Sequence, residues 1–290
     1  MRGMARETVQ KMSRPSPFLV EGPAVISFSG GRTSAYMLWR IIQAHGGELP
    51  SDVLVLFANT GKEMPQTLDF VRDCGERWGV PITWVEFADH DEVPQRWRIV
   101  TYETASRNGE PFAALIRRKK MLPNVVARFC TADLKIRAMH RMLKATHGWT
   151  EYTEAVGLRA DEMHRVARIK ASNGGVRDIV CPLATAGITK RDVAAFWASQ
   201  NFDLTLLNVN GRTPHGNCDL CFLKPIATVR AIMRDVPGSA DWWVEQERLA
   251  DARWRKDWPP YAQIAANVEA SADLFAEEGR ATECFCNGDT

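Results

Sequence analysis

The fold of this chain is decided by the stretch Ala24-Val25-Ile26-Ser27-Phe28-Ser29-Gly30-Gly31-Arg32-Thr33-Ser34-Ala35-Tyr36-Met37-Leu38. An apolar run rich in β-branched residues ends in Ser-Gly-Gly, and a helical pattern begins directly after it. This order predicts a strand, a tight glycine turn and a helix start. The glycines let the backbone approach a ligand closely. The unpaired N–H groups and the dipole of the helix start attract anions, so the stretch predicts an anion site.

Polar side chains of this turn also suit an anion. Ser29, Thr33 and Ser34 offer hydroxyl donors, and Arg32 offers a charged fork that matches phosphate. The spacing is not the Walker pattern of Gly, four residues and Gly-Lys-Ser/Thr, so the ordinary nucleotide triphosphatases are a poor match. A strand–helix turn without a ligand is the alternative interpretation.

The composition is that of an ordinary globular chain. Its 290 residues are 45% hydrophobic, so the chain can bury a substantial core. Its net charge of +2 does not by itself imply a nucleic-acid partner. No apolar run approaches the roughly 20 residues of a membrane span, and none follows the basic N-terminus as in a secretory signal. We therefore expect a cytoplasmic location. The seven cysteines include two close pairs, which favours metal or redox chemistry over a disulfide framework.

Alternating strand and helix patterns follow the opening turn. The predicted elements are a helix over Thr33–Ala44, a strand over Asp52–Ala58, a helix opening at Met64-Pro65, a strand over Pro81–Phe87, an irregular stretch over 88–120, a helix over Thr131–Lys144, strands over Tyr152–Leu158 and Ile179–Leu183, and a helix over Thr189–Asn201. This order predicts a doubly wound α/β fold, whose ligands bind beyond the carboxyl ends of the strands. The pattern changes near residue 205, where a Cys-x-x-Cys and a Trp-rich helical stretch begin.

Three motifs resemble one family. Ser29–Ser34 resembles the pyrophosphate loop, Ser-Gly-Gly-Lys-Asp-Ser, of the adenine-nucleotide α-hydrolase superfamily, which includes N-type ATP pyrophosphatases and phosphoadenylylsulfate (PAPS) reductases. It departs at Arg32 and Thr33. Phe57–Leu68 is similar to the Asp/Asn-Thr-Gly-x-x-x-Pro-Glu-Thr segment of the PAPS reductase family, and Gly157–Glu162 resembles its Gly-Leu/Ile-Arg-x-x-Glu.

The resemblance covers roughly residues 24–205 and implies an adenine-nucleotide site. Together with the polar composition of the N-terminal residues and the change of pattern near residue 205, it predicts a flexible arm (1–22), a nucleotide-binding domain (23–205) and a small helical, cysteine-containing appendage (206–290). The residues expected to contact the nucleotide are Ser29, Gly30, Gly31, Arg32, Thr33, Ser34, Asn59, Thr60 and Gly61, and Arg159 is expected to clamp a phosphate or sulfate. For Asn59 to Gly61 the alternative is a loop that only caps the next helix, and for Arg159 it is a surface ion pair. Arg165 and Arg168 are expected to belong to a surface ion-pair cluster, and closing over the anion is the alternative.

The cysteines resemble part of the family's iron–sulfur pattern. Cys130 stands where iron–sulfur members carry Cys-Cys-x-x-x-Lys-Val, with Phe129 in place of the first cysteine, and Cys218 and Cys221 resemble their Cys-x-x-Cys. This implies a [4Fe–4S] cluster whose fourth position is open or filled. The candidates for that position are Cys181, His215 and Cys284. Zinc and reduced structural thiols are the alternatives. Cys74 is expected to be buried in a helix.

The C-terminal Thr282-Glu283-Cys284-Phe285-Cys286 is similar to the Glu-Cys-Gly-Leu-His tail of the reductases, without its Gly, Leu and His. The resemblance implies that Cys284 is the nucleophile that attacks sulfur, and an exposed tail thiol is the alternative.

The stretch Arg117–Lys144 holds nine Lys/Arg against one acidic residue. It indicates either a solvated helix face or a surface for nucleic acid. The tryptophans after residue 240 are expected to pack in a core.

Two chemistries and a non-catalytic role agree with these motifs. The first is reduction of PAPS or its unphosphorylated analogue APS, with a thiol reductant as partner. The second binds ATP with Mg²⁺, releases pyrophosphate and directs sulfur from a donor to an adenylated oxygen, including one on a nucleic acid. The third is a nucleotide- or metal-binding module that has lost activity, which the departures at Arg32 and Thr33 keep open. Gly31→Val is expected to abolish nucleotide binding.

Overall fold

A six-stranded sheet forms the centre of the protein in a computed structural model, which describes residues 16–172 and 175–270. The strands are β1 (Ala24–Ser27), β2 (Val53–Asn59), β3 (Ile82–Glu86), β4 (Arg98–Val100), β5 (Tyr152–Val156) and β6 (Arg177–Val180). Their order is β4-β3-β2-β1-β5-β6, and all pairs are parallel except β3 with β4. The predicted doubly wound α/β fold is confirmed.

Helices connect the strands and continue beyond them. Those of the described residues are α1 (Arg32–Ala44), α2 (Pro65–Trp78), α3 (Glu110–Lys119), α4 (Arg137–His147), α5 (Met163–Ser172), α6 (Pro182–Thr185), α7 (Lys190–Ala198), α8 (Ile226–Asp235), α9 (Asp241–Ala250) and α10 (Tyr261–Ala270), with a π-helix over Thr131–Ile136 before α4. None of the helices described is long and apolar enough to cross a membrane.

Apolar side chains cover both faces of the sheet, as a parallel sheet requires. On one face Ile26 and Val55 pack with α1, α2 and α7, where Trp197 is buried. On the other face Val25 and Leu56 pack against α4. The continuous apolar runs of β1 and β2 follow from this burial on both sides.

The winding direction of the sheet reverses beside β1. The chain passes from β1 to β2 and β3 on one side and returns as β5 on the other, so that Ser27 is in register with both Leu56 and Val156. Ligands of doubly wound proteins bind at such a switch point, beyond the carboxyl ends of the strands. The loops that follow β1 and β5 therefore meet where a ligand is expected.

The stretch 88–120 is not irregular throughout, contrary to the sequence prediction. It contains the edge strand β4 and the helix α3, whose Phe112, Leu115 and Ile116 are buried. These apolar residues are spaced as on one helix face, and Pro111 stands in the first turn, so the helix was readable. The three residues of β4 are too few to show a period.

The described part of the C-terminal segment, up to residue 270, contains the helices α8, α9 and α10 and shares its core with α3. Trp243 and Trp254 are fully buried in a cluster that includes Phe112 and Leu115, from before residue 205. The tryptophans thus pack in a core. At the other end of the chain, Phe18 is also buried, in the main core, although it belongs to the segment predicted as an arm; residues 1–15 lie outside the described residues.

Candidate functional site

The turn after β1 is a tight cradle that only glycine can form. Gly30 has a φ of +74°, and a Cβ there would lie 2.6 Å from Cγ2 of Thr67. Gly31 is the N-cap of α1 in an extended conformation and gives no side-chain cap. A Cβ on Gly31 would meet only Oγ of Ser29, at 3.8 Å. The space beside Gly31 is therefore open, and the first-turn N–H groups of α1 are available to a ligand.

Two hydroxyl groups fix the shape of this cradle. Oγ of Ser34 accepts the N–H of Ser29 at 3.2 Å and donates to the carbonyl of Gly31 at 2.9 Å. The Oγ atoms of the two serines lie 3.0 Å apart. The first turn of α1 carries no acidic residue that would oppose an anion.

Arg159 lies beside the cradle, as the switch point requires. Its Nη1 donates to Oγ1 of Thr33 at 3.1 Å, and its Nε and Nη1 also pair with Asp161 and Glu162, at 2.9 and 3.2 Å. The loop before it packs tightly, since a Cβ on Gly157 would lie 3.0 Å from Cα of Ser34. Two motifs that are more than a hundred residues apart thus form one site, and Arg159 belongs both to this site and to an ion-pair cluster.

The side chain of Arg32 points away from the cradle. Its Nε and Nη2 pair with the two carboxylate oxygens of Asp203 at 2.7 and 2.9 Å, and Nη1 donates to Thr213 at 3.1 Å. Its backbone N–H stays in the first turn of α1. Within this site Arg32 contributes through its main chain.

The residues Asn59, Thr60 and Gly61 form a buried junction. The Asn59 amide donates to Glu86 at 2.6 Å and to the carbonyl of Ser106 at 2.8 Å, and Oγ1 of Thr60 donates to Glu63 at 2.8 Å. Gly61 has a φ of +78° and contacts Gly109. These groups hold loops together at the carboxyl edge of the sheet, and Asn59 and Thr60 are almost completely shielded from solvent.

A small pocket opens next to the cradle. Its lining combines the ends of β1, β2 and β5 with the π-helix and the start of α4, and consists of Ser27, Phe28, Ser29, Leu56, Ala58, Lys135, Ile136, Met139 and Glu154. Most of this lining is apolar, with one cation and one carboxylate. Such a pocket suits a flat heterocycle that carries a few polar atoms.

The two charged residues of this pocket, Lys135 and Glu154, were not among those predicted from the sequence. Glu154 is a buried carboxylate in the central part of the sheet and pairs with Nη1 of Arg177 at 2.7 Å. Nζ of Lys135, from the π-helix, lies 3.7 Å from Oε1 of Glu63. A charged residue inside an apolar parallel strand was the signal that could have revealed Glu154. π-Helical turns occur often at functional sites, but the sequence pattern does not distinguish them from α-helix.

The cysteines predicted to bind a metal share one neighbourhood. Cys221 belongs to the apolar cluster of the C-terminal segment, and Cys130 and Cys218 pack against that cluster. Sγ of Cys218 lies 3.5 Å from Oγ1 of Thr60. Within residues 16–172 and 175–270, no three His, Cys, Asp or Glu side chains are arranged to hold a metal ion. That Cys130, Cys218 and Cys221 bind a metal stays a prediction.

The other cysteines lie apart from the cradle or outside the described residues. Cys74 is fully buried in α2, and burial raises the pKa of its thiol far above the usual range, which agrees with a packing role. Cys181 is buried in the cluster around β6. Cys284, the predicted nucleophile, and Cys286 lie outside the described residues.

Much of the positive charge in Arg117–Lys144 is paired within the protein. Oδ2 of Asp133 lies 3.0 Å from Nζ of Lys119, and its Oδ1 lies 3.1 Å from Nη1 of Arg137. Arg118 pairs with Asp89 and Asp91. Burial opposes ionisation of Asp133, but the hydrogen bonds from Lys119 and Arg137 outweigh it and lower its pKa. These pairs reduce the charge that the stretch could offer to phosphates.

The chain is similar to known proteins in three comparisons. The sequence model of the phosphoadenosine phosphosulfate reductase domain matches residues 23–211. The chain is 31% identical over 220 residues to the uncharacterized nin region protein ORF290 of Escherichia phage lambda. The matched region covers 74% of this chain and 70% of that protein. Among solved structures it is similar to the U34-tRNA thiolase NcsA from Methanococcus maripaludis with its [4Fe-4S] cluster, at 12% identity and a TM-score of 0.38 over 92% of this chain and 78% of that one.

Proposed function

The chain belongs to the phosphoadenosine phosphosulfate reductase domain family, and from this premise we propose that it is an enzyme that binds an adenine nucleotide at the switch point of its sheet. The phosphates lie against the first turn of α1, and the base occupies the neighbouring pocket. The observation that carries the proposal is the contact between Arg159 and Thr33, because it joins two separate family motifs around one open anion cradle.

The cradle offers the donors that a phosphate chain needs. The N–H groups of Arg32 and Thr33 stand at the positive end of the α1 dipole. Arg159 is the nearest charged fork, and an incoming anion competes with Asp161 and Glu162 for it. Exchange of a carboxylate partner for a phosphate preserves the charge pairing of the guanidinium, so binding leaves no buried cation unpaired.

The lining of the pocket beside the cradle has a character that suits adenine. Phe28, Leu56 and Met139 supply apolar surface to the faces of a purine, and Lys135 and Glu154 offer a donor and an acceptor at its edge. The pocket and the cradle share Ser29, so a nucleoside and its phosphates can occupy them together.

ATP is the nucleotide that this site favours over a sulfonucleotide. Asp161 and Glu162 stand next to Arg159, and Mg²⁺ is typically held by one or two carboxylates together with substrate phosphates. These two carboxylates would hold it here. The proposed reaction is attack of a substrate oxygen on the α-phosphorus, which transfers the adenylyl group and releases pyrophosphate. A sulfur nucleophile from a donor would then attack the atom that bears the adenylated oxygen, and the bond to that oxygen would break with release of AMP. Reduction of PAPS or APS is the second candidate, favoured by the family of the matched domain.

The adenylyl-transfer step is proposed without a role for Cys130, Cys218 and Cys221, whose predicted metal is tested separately. Anaerobic purification with iron, sulfide and zinc analysis tests the prediction that Cys130, Cys218 and Cys221 bind a [4Fe–4S] cluster or zinc. Stoichiometric metal that is lost in Cys218→Ala would show that these loops rearrange around a metal. Metal-free protein with unchanged nucleotide affinity would limit these thiols to packing.

Product analysis after incubation with radiolabelled ATP, PAPS or APS tests the proposed function. Pyrophosphate release from ATP, dependent on Mg²⁺ and an acceptor, supports adenylylation. Sulfite release in the presence of a thiol reductant supports reduction instead. Binding without either product would show an inactive module, and no binding of any of the three nucleotides would refute the proposal. Arg248→Lys is a suitable control, because this arginine lies on α9 in an exposed pair with Glu245.

A further inference from the structure

Arg32 differs from the other groups of the cradle in the direction of its side chain. The guanidinium is largely buried and lies against the segment 203–213. Besides both carboxylate oxygens of Asp203 and the hydroxyl of Thr213, it contacts the carbonyl oxygens of Leu204 and Leu206, the latter at 3.2 Å. All three guanidinium nitrogens of Arg32 thus donate hydrogen bonds, and together they contact four residues of segment 203–213.

The main chain of Arg32 is fastened as well. Nε1 of Trp197 in α7 donates to its carbonyl oxygen at 2.9 Å. The residue therefore links the first turn of α1 to α7 through its backbone and to segment 203–213 through its side chain. Its N–H, like that of Thr33, belongs to the open end of α1. A displacement of Arg32 would move the donors that form the cradle.

The partner segment has its own fixed shape. Val209 and Arg212 form a backbone bridge around a turn in which Asn210 and Gly211 have φ values of +51° and +77°. A Cβ on Gly211 would lie 2.6 Å from Cδ of Lys190, which shows that the turn packs closely on the start of α7. Segment 203–213 can therefore serve as a support for the cradle.

We infer that Arg32 is a positioning residue, which holds the donors of the anion cradle in place by fastening the first turn of α1 to segment 203–213. Lysine could not replace it, since one ammonium group cannot bind both oxygens of Asp203 and reach Thr213 at the same time. The inference rests on the proposed anion site and assigns Arg32 a role different from the direct phosphate contact that its position in the loop suggests.

The substitution Asp203→Asn separates the two roles of Arg32. If Arg32 contacted phosphate directly, weakening its pair with Asp203 would release positive charge and leave affinity unchanged or improve it. If Arg32 positions the cradle, Asp203→Asn and Arg32→Lys each weaken the binding of inorganic pyrophosphate by about tenfold, the loss that corresponds to one misaligned charge-assisted hydrogen bond. The double variant binds no more weakly than the weaker single variant, because both changes break the same contact.

Asp257→Asn provides the matched control. Asp257 also pairs through both carboxylate oxygens with an arginine, Arg255. Calorimetric titration with pyrophosphate measures affinity in the five proteins, and urea unfolding confirms that each is folded. Amide hydrogen exchange of residues 29–36, measured without ligand, is expected to be faster in Arg32→Lys and Asp203→Asn than in the wild type and Asp257→Asn.

The exchange measurement keeps this inference separate from the proposed function. Unchanged exchange in both variants overturns the inference whatever the ligand does, as does wild-type or tighter pyrophosphate binding by Asp203→Asn. A wild-type protein that binds neither pyrophosphate nor ATP refutes the proposed function, while faster exchange in the two variants would still show that Arg32 positions the turn.

Discussion

Adding one methyl group is expected to impair stability at Gly30 but ligand binding at Gly31, although the two residues are neighbours. At Gly30 a Cβ would lie 2.6 Å from Cγ2 of Thr67 and 3.1 Å from Cγ2 of Val71, and the φ of +74° is strained for any other residue. At Gly31 the nearest atom to a Cβ is 3.8 Å away. Gly30→Ala should therefore lower the stability of the protein, whereas Gly31→Ala should reduce ligand binding.

The magnitudes follow from these contacts. Placing alanine in the left-handed backbone conformation of Gly30 costs about 1–2 kcal/mol of stability. Overpacking the core with the added methyl group costs about 1–3 kcal/mol more. Gly30→Ala should thus lower the free energy of unfolding by about 2–5 kcal/mol. Gly31→Ala should lower the free energy of unfolding by about 1 kcal/mol or less, because alanine is a poorer N-cap residue than glycine. The lower conformational entropy of the unfolded alanine variant partly offsets this loss. Its methyl group occupies the open space of the cradle, and we expect at least about tenfold weaker ATP binding, or about 1.4 kcal/mol.

Urea unfolding and calorimetric titration with Mg²⁺ and ATP measure the two effects on the same samples. Gly31→Ala is the control for the stability of Gly30→Ala, since the added atom and the position along the chain are nearly the same. A Gly30→Ala protein as stable as the wild type would contradict the geometry of the turn. A Gly31→Ala protein that binds ATP as the wild type does would refute the placement of phosphate beside Gly31.

Three further predictions concern the surroundings of the cradle. Arg159→Ala should weaken ATP binding by roughly a hundredfold in calorimetric titration, because a charge-assisted bidentate contact is lost, and wild-type affinity would contradict its role. Glu86→Ala should lower the free energy of unfolding in urea by at least about 2 kcal/mol, since the buried Asn59 amide and the buried Ser106 N–H each lose an acceptor, at about 1–3 kcal/mol each; a loss below about 1 kcal/mol would contradict this network. Asp133, whose pKa is lowered, should stabilise the fold above its unfolded pKa near 3.8 and lose that contribution as pH falls through its lower folded pKa. Asp133→Asn should therefore flatten the acid limb of stability measured by urea unfolding at a series of pH values, and an unchanged limb would exclude the ion-pair explanation.

The local sequence pattern predicted the centre of the fold well. The stretch around Gly30 predicts strand, turn and helix because the local sequence is enough to determine each of these elements. The same holds for the buried run of β2. By contrast, β4 pairs antiparallel with β3 through only three residues, so tertiary contacts rather than a period determine it.

The candidate site was predictable in position but less so in the use of its side chains. Arg32 and Asp203 are separated by 171 residues, and nothing in the local sequence of either indicates their pairing. Asn59 presents the polar amide expected of a ligand contact, yet Glu86 and Ser106 occupy it. Which polar group faces a ligand and which joins two loops depends on the packing of distant segments. Sequence motifs therefore locate such a site more reliably than they assign contacts within it.

The two edges of the sheet bear on how the folded protein behaves at high concentration. An unpaired strand edge is a template on which a second chain can add, and this is a common route to aggregation. At one edge β4 has three residues and begins with Arg98, and at the other β6 has four and begins with Arg177 and Asp178. Short, charged edges disfavour the addition of another strand. The native protein should thus resist association by sheet extension even though its central strands are strongly apolar.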